Sequence, residues 1–233
     1  MKKFFALILC VASLLAVAVF PASAEEAHEK FTDVEDGKWY TDAIDFVYAA
    51  SIMTGTSGTC FSPNKPITRE EFFFIYVKKN YVWLSNVEIP HYEKMSFTDV
   101  PPNKWYSDYI EFAYRQGITA GIGNGEFGLG RLLKREDAAV ILDPGPAKSG
   151  GEIEVEYWGN EMTDMDKVSG YAKAAVDRAC SYQHVIYHSE VDSHDFVYDP
   201  IFSGNKNKEF MPKKSMTRAE VAIIIYNMCL PVK

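Results

Sequence analysis

Phe31-Thr32-Asp33-Val34 and Phe97-Thr98-Asp99-Val100 stand 66 residues apart, and the residues around them keep the same step. Lys38-Trp39-Tyr40 returns as Lys104-Trp105-Tyr106, and Arg69-Glu70 returns as Arg135-Glu136. Aligned without a gap, residues 31–75 and 97–141 share 17 identities in 45 positions. A third copy is more diverged. It opens with Met162-Thr163-Asp164-Met165, carries Tyr171 in the tryptophan place after a one-residue insertion, and repeats the Phe61-to-Arg69 spacing from Phe210 to Arg218. About 17 additional residues, near 188–206, separate its two halves. The copies are set at 31–80, 97–142 and 162–230. Units of this size bury too little surface to stand alone, so the three are expected to share a core.

Each copy reads as helix, loop, helix, which makes the expected fold mainly α. Ala43, Ile44, Val47, Tyr48 and Ile52 fall on one face at helical spacing. Asp42 sits in the opening turn, where a carboxylate suits the helix dipole. Gly55 and the stretch 56–59 are expected to end that helix. Thr68 and Glu71 form a capping-box pair at the head of the second helix, and Thr217 and Glu220 repeat it. Lys134 stands in the cap place of the second copy and should weaken that start by about 1 kcal/mol. Residues 72–77 and 221–226 are apolar almost all round, which predicts buried helices packed against each other. Between the copies, residues 81–96 contain Pro90, and residues 143–161 break the second copy's last helix. Residues 152–157 alternate in the manner of a short strand.

The chain has 233 residues, 24 Lys+Arg, 32 Asp+Glu and a formal net charge of −8, with 47 % hydrophobic residues. That apolar share rules out general disorder. The acidic balance argues against nucleic acid, whose binding needs clustered cations, and against a polybasic membrane-surface protein. Lys2-Lys3, the uncharged run from Phe4 to Phe20 and Ala22-Ser23-Ala24 read as a secretory signal peptide over 1–24, cut before Glu25. A lipoprotein reading through Cys10 fails because that cysteine lies inside the apolar run. No second apolar span follows, so an exported protein held at the cell by a binding interaction is expected.

Cys60, Cys180 and Cys229 are odd in number, and a bridge between the last two is an open alternative to buried free thiols. His188, Glu190, Asp192, His194 and Asp195 alternate in the insertion. A solvated acidic loop is the reading adopted there, and no metal or other cofactor is expected. No nucleophile elbow, zinc-protease motif or phosphate loop is present, and the repeats occupy the length that an enzyme domain would need.

In these motifs the chain resembles the S-layer homology family. Its repeats open with F-x-D-V and W-Y, and run through a glycine-rich loop and F-x-P into a second helix headed I-T-R-x-E. The first copy has Phe31 to Val34, Trp39-Tyr40, Gly55, Phe61-Ser62-Pro63 and Ile67 to Glu70. The second has Phe97 to Val100, Trp105-Tyr106, Gly121 to Gly125, Phe127 and Leu133 to Glu136. The third has Thr217 to Glu220 and a degraded opening. The resemblance covers nearly all of the chain beyond residue 24. It implies three tandem repeats in a pseudo-threefold bundle and non-covalent binding of the secondary polysaccharide of a Gram-positive-type cell wall, often pyruvylated and therefore anionic. It also implies that Arg69, Arg135 and Arg218, with the opening tryptophans and aspartates, line grooves that bind the sugar.

A ketal-bearing sugar presents a carboxylate, hydroxyls and an apolar C–H face. A guanidinium in the first turn of a helix suits the carboxylate. Trp39, Trp105 and Tyr171 suit the C–H face, and Asp33, Asp99 and Asp164 suit the hydroxyls or hold the arginine. Each has a structural alternative: an arginine paired with an acid, a core aromatic, a turn aspartate. Grooves containing Arg69 and Trp39 or Trp105 are expected to bind best. The competing function is a surface protein that assembles with itself or captures other exported or S-layer proteins without binding glycan.

Overall fold

The computed structural model describes residues 26–83, 85–143, 153–188, 193–198 and 200–229. The signal peptide expected over 1–24 lies outside them. So do Glu190 and Asp192 of the acidic insertion, and the side chains of His188, His194 and Asp195. The fold is mainly helical: α1 (Ala27–Lys30), α2 (Thr41–Ala49), α3 (Arg69–Val77), α4 (Ser107–Arg115), α5 (Arg135–Leu142), α6 (Lys173–Ala179) and α7 (Arg218–Asn227). A π-helical segment, Lys78–Trp83, continues α3. Among the described residues no helix is long and apolar enough to cross a membrane.

Two compact units divide the chain. The first takes the residues up to 133 together with 216–231, and the second takes 134–215. In the first unit the last helix of the third copy returns to the first copy: α7 packs on α2, and α3 packs on α4. Ile44 and Val47 of α2 and Val221, Ala222 and Ile225 of α7 are fully buried, and Phe46 meets Tyr226 edge-on at 5.2 Å. The all-round apolar helices α3 and α7 thus take the first helix of the next copy as chief partner, not each other as their sequences suggest. Backbone bonds join the three copies where their second helices begin. Ile67 N–H donates to Met216 O at 2.9 Å, Met216 N–H to Leu133 O at 2.9 Å, and Leu133 N–H to Ile67 O at 3.0 Å. All three side chains are fully buried, so each polar backbone group there finds its partner in another copy.

In the second unit α5 packs on α6. Here the insertion and the preceding connector build an antiparallel sheet, β1 (Ile153–Trp158), β2 (Tyr182–His188) and β3 (Ser193–Tyr198), in the order β1-β2-β3. Val155 opposes Val185, which opposes Phe196. The short strand expected from the alternation is β1; its two partners were not foreseen.

Local signals decide the helix ends. Thr68 and Thr217 both form the full reciprocal capping box, with Glu71 and Glu220, and Lys134 makes no side-chain cap. The first helix of the first copy stops earlier than expected, before Gly55: Ser51 is left-handed at φ 55°, and Ile52 is buried beyond the helix. The candidate disulfide is absent, since Cys60, Cys180 and Cys229 are free thiols. Burial pushes the Cys180 thiol up to about 12, which makes it inert.

Candidate functional site

In each copy the aspartate of the opening motif (Asp33, Asp99, Asp164) clamps the loop that carries the copy's later phenylalanine (Phe61, Phe127, Phe210). Asp33 Oδ1 accepts from Phe61 N–H and Oδ2 from Ser62 N–H, both at 2.8 Å. Asp99 accepts from Phe127, Gly128 and Leu129 at 2.7–2.9 Å, and Asp164 accepts from Phe210 and Met211 at 2.7 and 2.9 Å. Burial alone would raise the Asp99 carboxyl, but its N–H donors outweigh that and hold it below the usual range. The residue after each phenylalanine is left-handed: Ser62 at φ 61°, Gly128 at 88° and Met211 at 58°. That turn points two successive N–H groups at one carboxylate. In all three copies both carboxylate oxygens accept from loop N–H groups.

The carbonyl of the same phenylalanine receives an arginine from another copy. Arg69 Nε donates to Phe127 O at 3.1 Å, Arg135 Nε to Phe210 O at 2.7 Å and Arg218 Nε to Phe61 O at 2.8 Å. Each guanidinium also lies over the ring it serves, at 5.1, 5.1 and 4.6 Å from the centroid. The arginines are 6–7 % exposed. Aspartate, phenylalanine peptide and arginine thus form one chain of contacts, and the aspartate positions the arginine through the peptide between them. Each of the three arginines thus pairs with a carbonyl of another copy.

A groove of about 400 Å³ opens beside this chain in the first unit. Its walls bring together Thr54 and Gly55 of the first copy's loop, Glu71, Phe74 and Lys78 of the following helix, Trp105 of the second copy and Arg218 of the third. Arg218 also donates from Nη2 to Thr54 O at 2.5 Å. Burial lowers its guanidinium, while Glu71 and Asp33 pull the other way. Trp105 is 56 % exposed and meets Phe74 edge-on at 5.3 Å, while Phe74 packs on Tyr109 at 4.4 Å. Ser107 fixes the approach to that indole: its Oγ accepts from Lys104 N–H and donates to Pro101 O. A Cβ at Gly55 would come within 2.5 Å of the Phe31 ring and 2.6 Å of Ser57 O, so only glycine fits this wall. Lys65, also on the lining, faces Glu71 at 3.6 Å.

The other expected aromatics are placed differently. Trp39 is 63 % exposed and packs on Tyr40. Tyr171 is 66 % exposed, and its hydroxyl donates to Asp137 at 2.6 Å; burial and that carboxylate raise the phenol. The structure brings Arg218 and Trp105 into one groove. Sequence reasoning missed Phe74, Lys78 and Thr54. Phe74 was hidden in a run that reads as core, and the lysine that breaks the run at 78 was the available signal. Among the described residues, Glu26, His28 and Asp45 have a metal-like composition, but His28 is already held, its N–H and Nδ1 by Asp45 at 3.0 and 2.7 Å.

The S-layer homology domain model matches residues 30–73, 96–139 and 199–222. The repeats belong to the S-layer homology family. The chain is 26 % identical over 229 residues to an endoglucanase of Bacillus sp. (strain KSM-635), covering 96 % of this chain and 22 % of that enzyme. It is 33 % identical over 142 residues to a cell surface protein of Thermoanaerobacter kivui, covering 61 % of this chain and 18 % of the relative. To a surface-layer 125 kDa protein of Lysinibacillus sphaericus it is 26 % identical over 223 residues, covering 96 % and 16 %. The chain therefore spans about a fifth of the length of these relatives, and the enzyme is matched only through its S-layer homology segment.

Proposed function

We propose that the groove beside Arg218 and Trp105 binds an anionic cell-wall polysaccharide non-covalently, and that the repeats act as a wall anchor without catalysis. One observation carries this reading. In a chain of formal charge −8, the groove gathers Arg218, Lys65 and Lys78 against the single carboxylate of Glu71, next to an exposed indole. An acidic sugar fits that combination: its carboxylate, a pyruvate ketal for instance, meets the cations, and its C–H face meets Trp105. Arg218 keeps Nη1 beyond the two nitrogens it commits to carbonyls. Long-range charge opposes the encounter, so recognition is short-range. Export by a signal peptide over 1–24 and a Gram-positive-type wall belong to the same proposal. So does a pseudo-threefold bundle of the three copies, which is supported by the aspartate–phenylalanine–arginine chain recurring in all of them.

Retention on purified walls, with and without their secondary polysaccharide, tests the reading. Trp105→Ala is the variant of choice because an exposed indole can be removed without opening the core. It is expected to lose about tenfold in affinity, comparable to one stacking contact. Equal retention of wild type on stripped walls would refute polysaccharide binding, and unchanged retention of Trp105→Ala would refute this groove. A strict monomer in light scattering that still binds walls disfavours the self-assembly alternative.

A further inference from the structure

Lys78 is the groove cation that, among the described residues, meets no carboxylate or carbonyl and has only an aromatic face beside its charge. It follows α3 directly, as the first residue of the π-helical segment. Its Nζ lies over the Phe74 ring at 5.4 Å, its side chain is half-buried, and burial pulls the ammonium below the usual lysine range. No carboxylate among the described residues approaches it. The neighbouring cations differ: Lys65 faces Glu71 at 3.6 Å, and Arg218 holds two carbonyls. An ammonium partly withdrawn from water without a counter-charge is costly, and an anion placed beside it offsets the cost. The sequence adds a contrast between the copies. The positions matching Lys65 are Arg131 and Lys214, so that charge recurs, whereas those matching Lys78 are Pro144 and Asn227.

We propose that Lys78 is a specificity-determining residue that reads a second negative group on the bound saccharide, so that this groove selects a sugar unit with two anionic groups over one with a single carboxylate. Arg218 takes the first anion and Lys78 the second, with the indole of Trp105 along the ring. This rests on the groove being the polysaccharide site.

The test is competition against immobilised cell-wall polysaccharide by glucuronic acid and by glucuronic acid 1-phosphate, at matched ionic strength. The full chain is used as wild type, Lys78→Met and Lys78→Arg. The doubly anionic sugar is expected to displace wild type at about tenfold lower concentration than glucuronic acid. The preference should fall to about unity in Lys78→Met and return in Lys78→Arg, with melting temperatures showing that both variants fold. The same preference in Lys78→Met as in wild type, or no preference in wild type, overturns the proposal. So does failure of both sugars to displace a wild-type protein that is held on the walls. A wild type not retained by the walls at all overturns the groove reading beneath it.

Discussion

A guanidinium tied to two carbonyls and laid over a ring, as Arg218 is over Phe61, has little rotamer freedom left, so a ligand meeting it bears little ordering cost. The sequence could name this arginine but not its partner, because a carbonyl on another copy leaves no mark in residue type. The loop-clamping part of the aspartates was not legible for a related reason: a carboxylate accepting backbone N–H groups and one accepting sugar hydroxyls look alike as letters. Titration at single residues is better defined. His28 is raised, first by its hydrogen bond to Asp45, with burial opposing and the charges of Asp45, Glu26 and Asp36 adding. A raised histidine contributes stability that is fully present below its unfolded value and is lost as pH climbs through the folded one. Melting temperature is therefore expected to decline as pH rises past the ordinary histidine value of about 6.5. In His28→Gln that slope should flatten, and an unchanged slope in the variant would assign the decline to another group.

At the scale of elements, the capping boxes were legible because four consecutive residues carry the whole signal. Thr68 with Glu71 and Thr217 with Glu220 form as read. The sheet was not legible, since β2 and β3 come from an insertion whose pairing with β1 is a non-local choice. Helix partners were misread for the same reason: an apolar helix announces burial but not which neighbour buries it. The uncapped start of α5 offers a direct check. Lys134 contributes no side-chain bond there, and Lys134→Ser is expected to stabilise the protein by about 0.5–1 kcal/mol in urea unfolding. Arg135 and Glu136 N–H already donate to Lys214 O and Pro212 O, so no gain would mean that Asp137 N–H does not take up the new hydroxyl.

For the molecule as a whole, the first unit is discontinuous in sequence: residues up to 133 are completed by 216–231. Removing residues 216–233 takes α7 from α2 and Arg218 from Phe61. The expected outcome is loss of the first unit's cooperative transition in calorimetry together with loss of wall retention; an intact transition would show that α7 is dispensable to that core. Repeat number and order were readable because a fixed step survives divergence. The return of the last helix to the first copy was not, because the step says nothing about where an array ends in space.

The hydrogen bond from Ile67 to Met216 also sets a timetable. A ribosome delivers Ile67 long before Met216, and until the second of these emerges the first copy has no partner for that amide. Contacts separated this widely along the chain form late. The first copy therefore cannot close its hydrogen bonding with residues of its own and of the second copy alone; its fold is complete only once the 216–229 segment has been made.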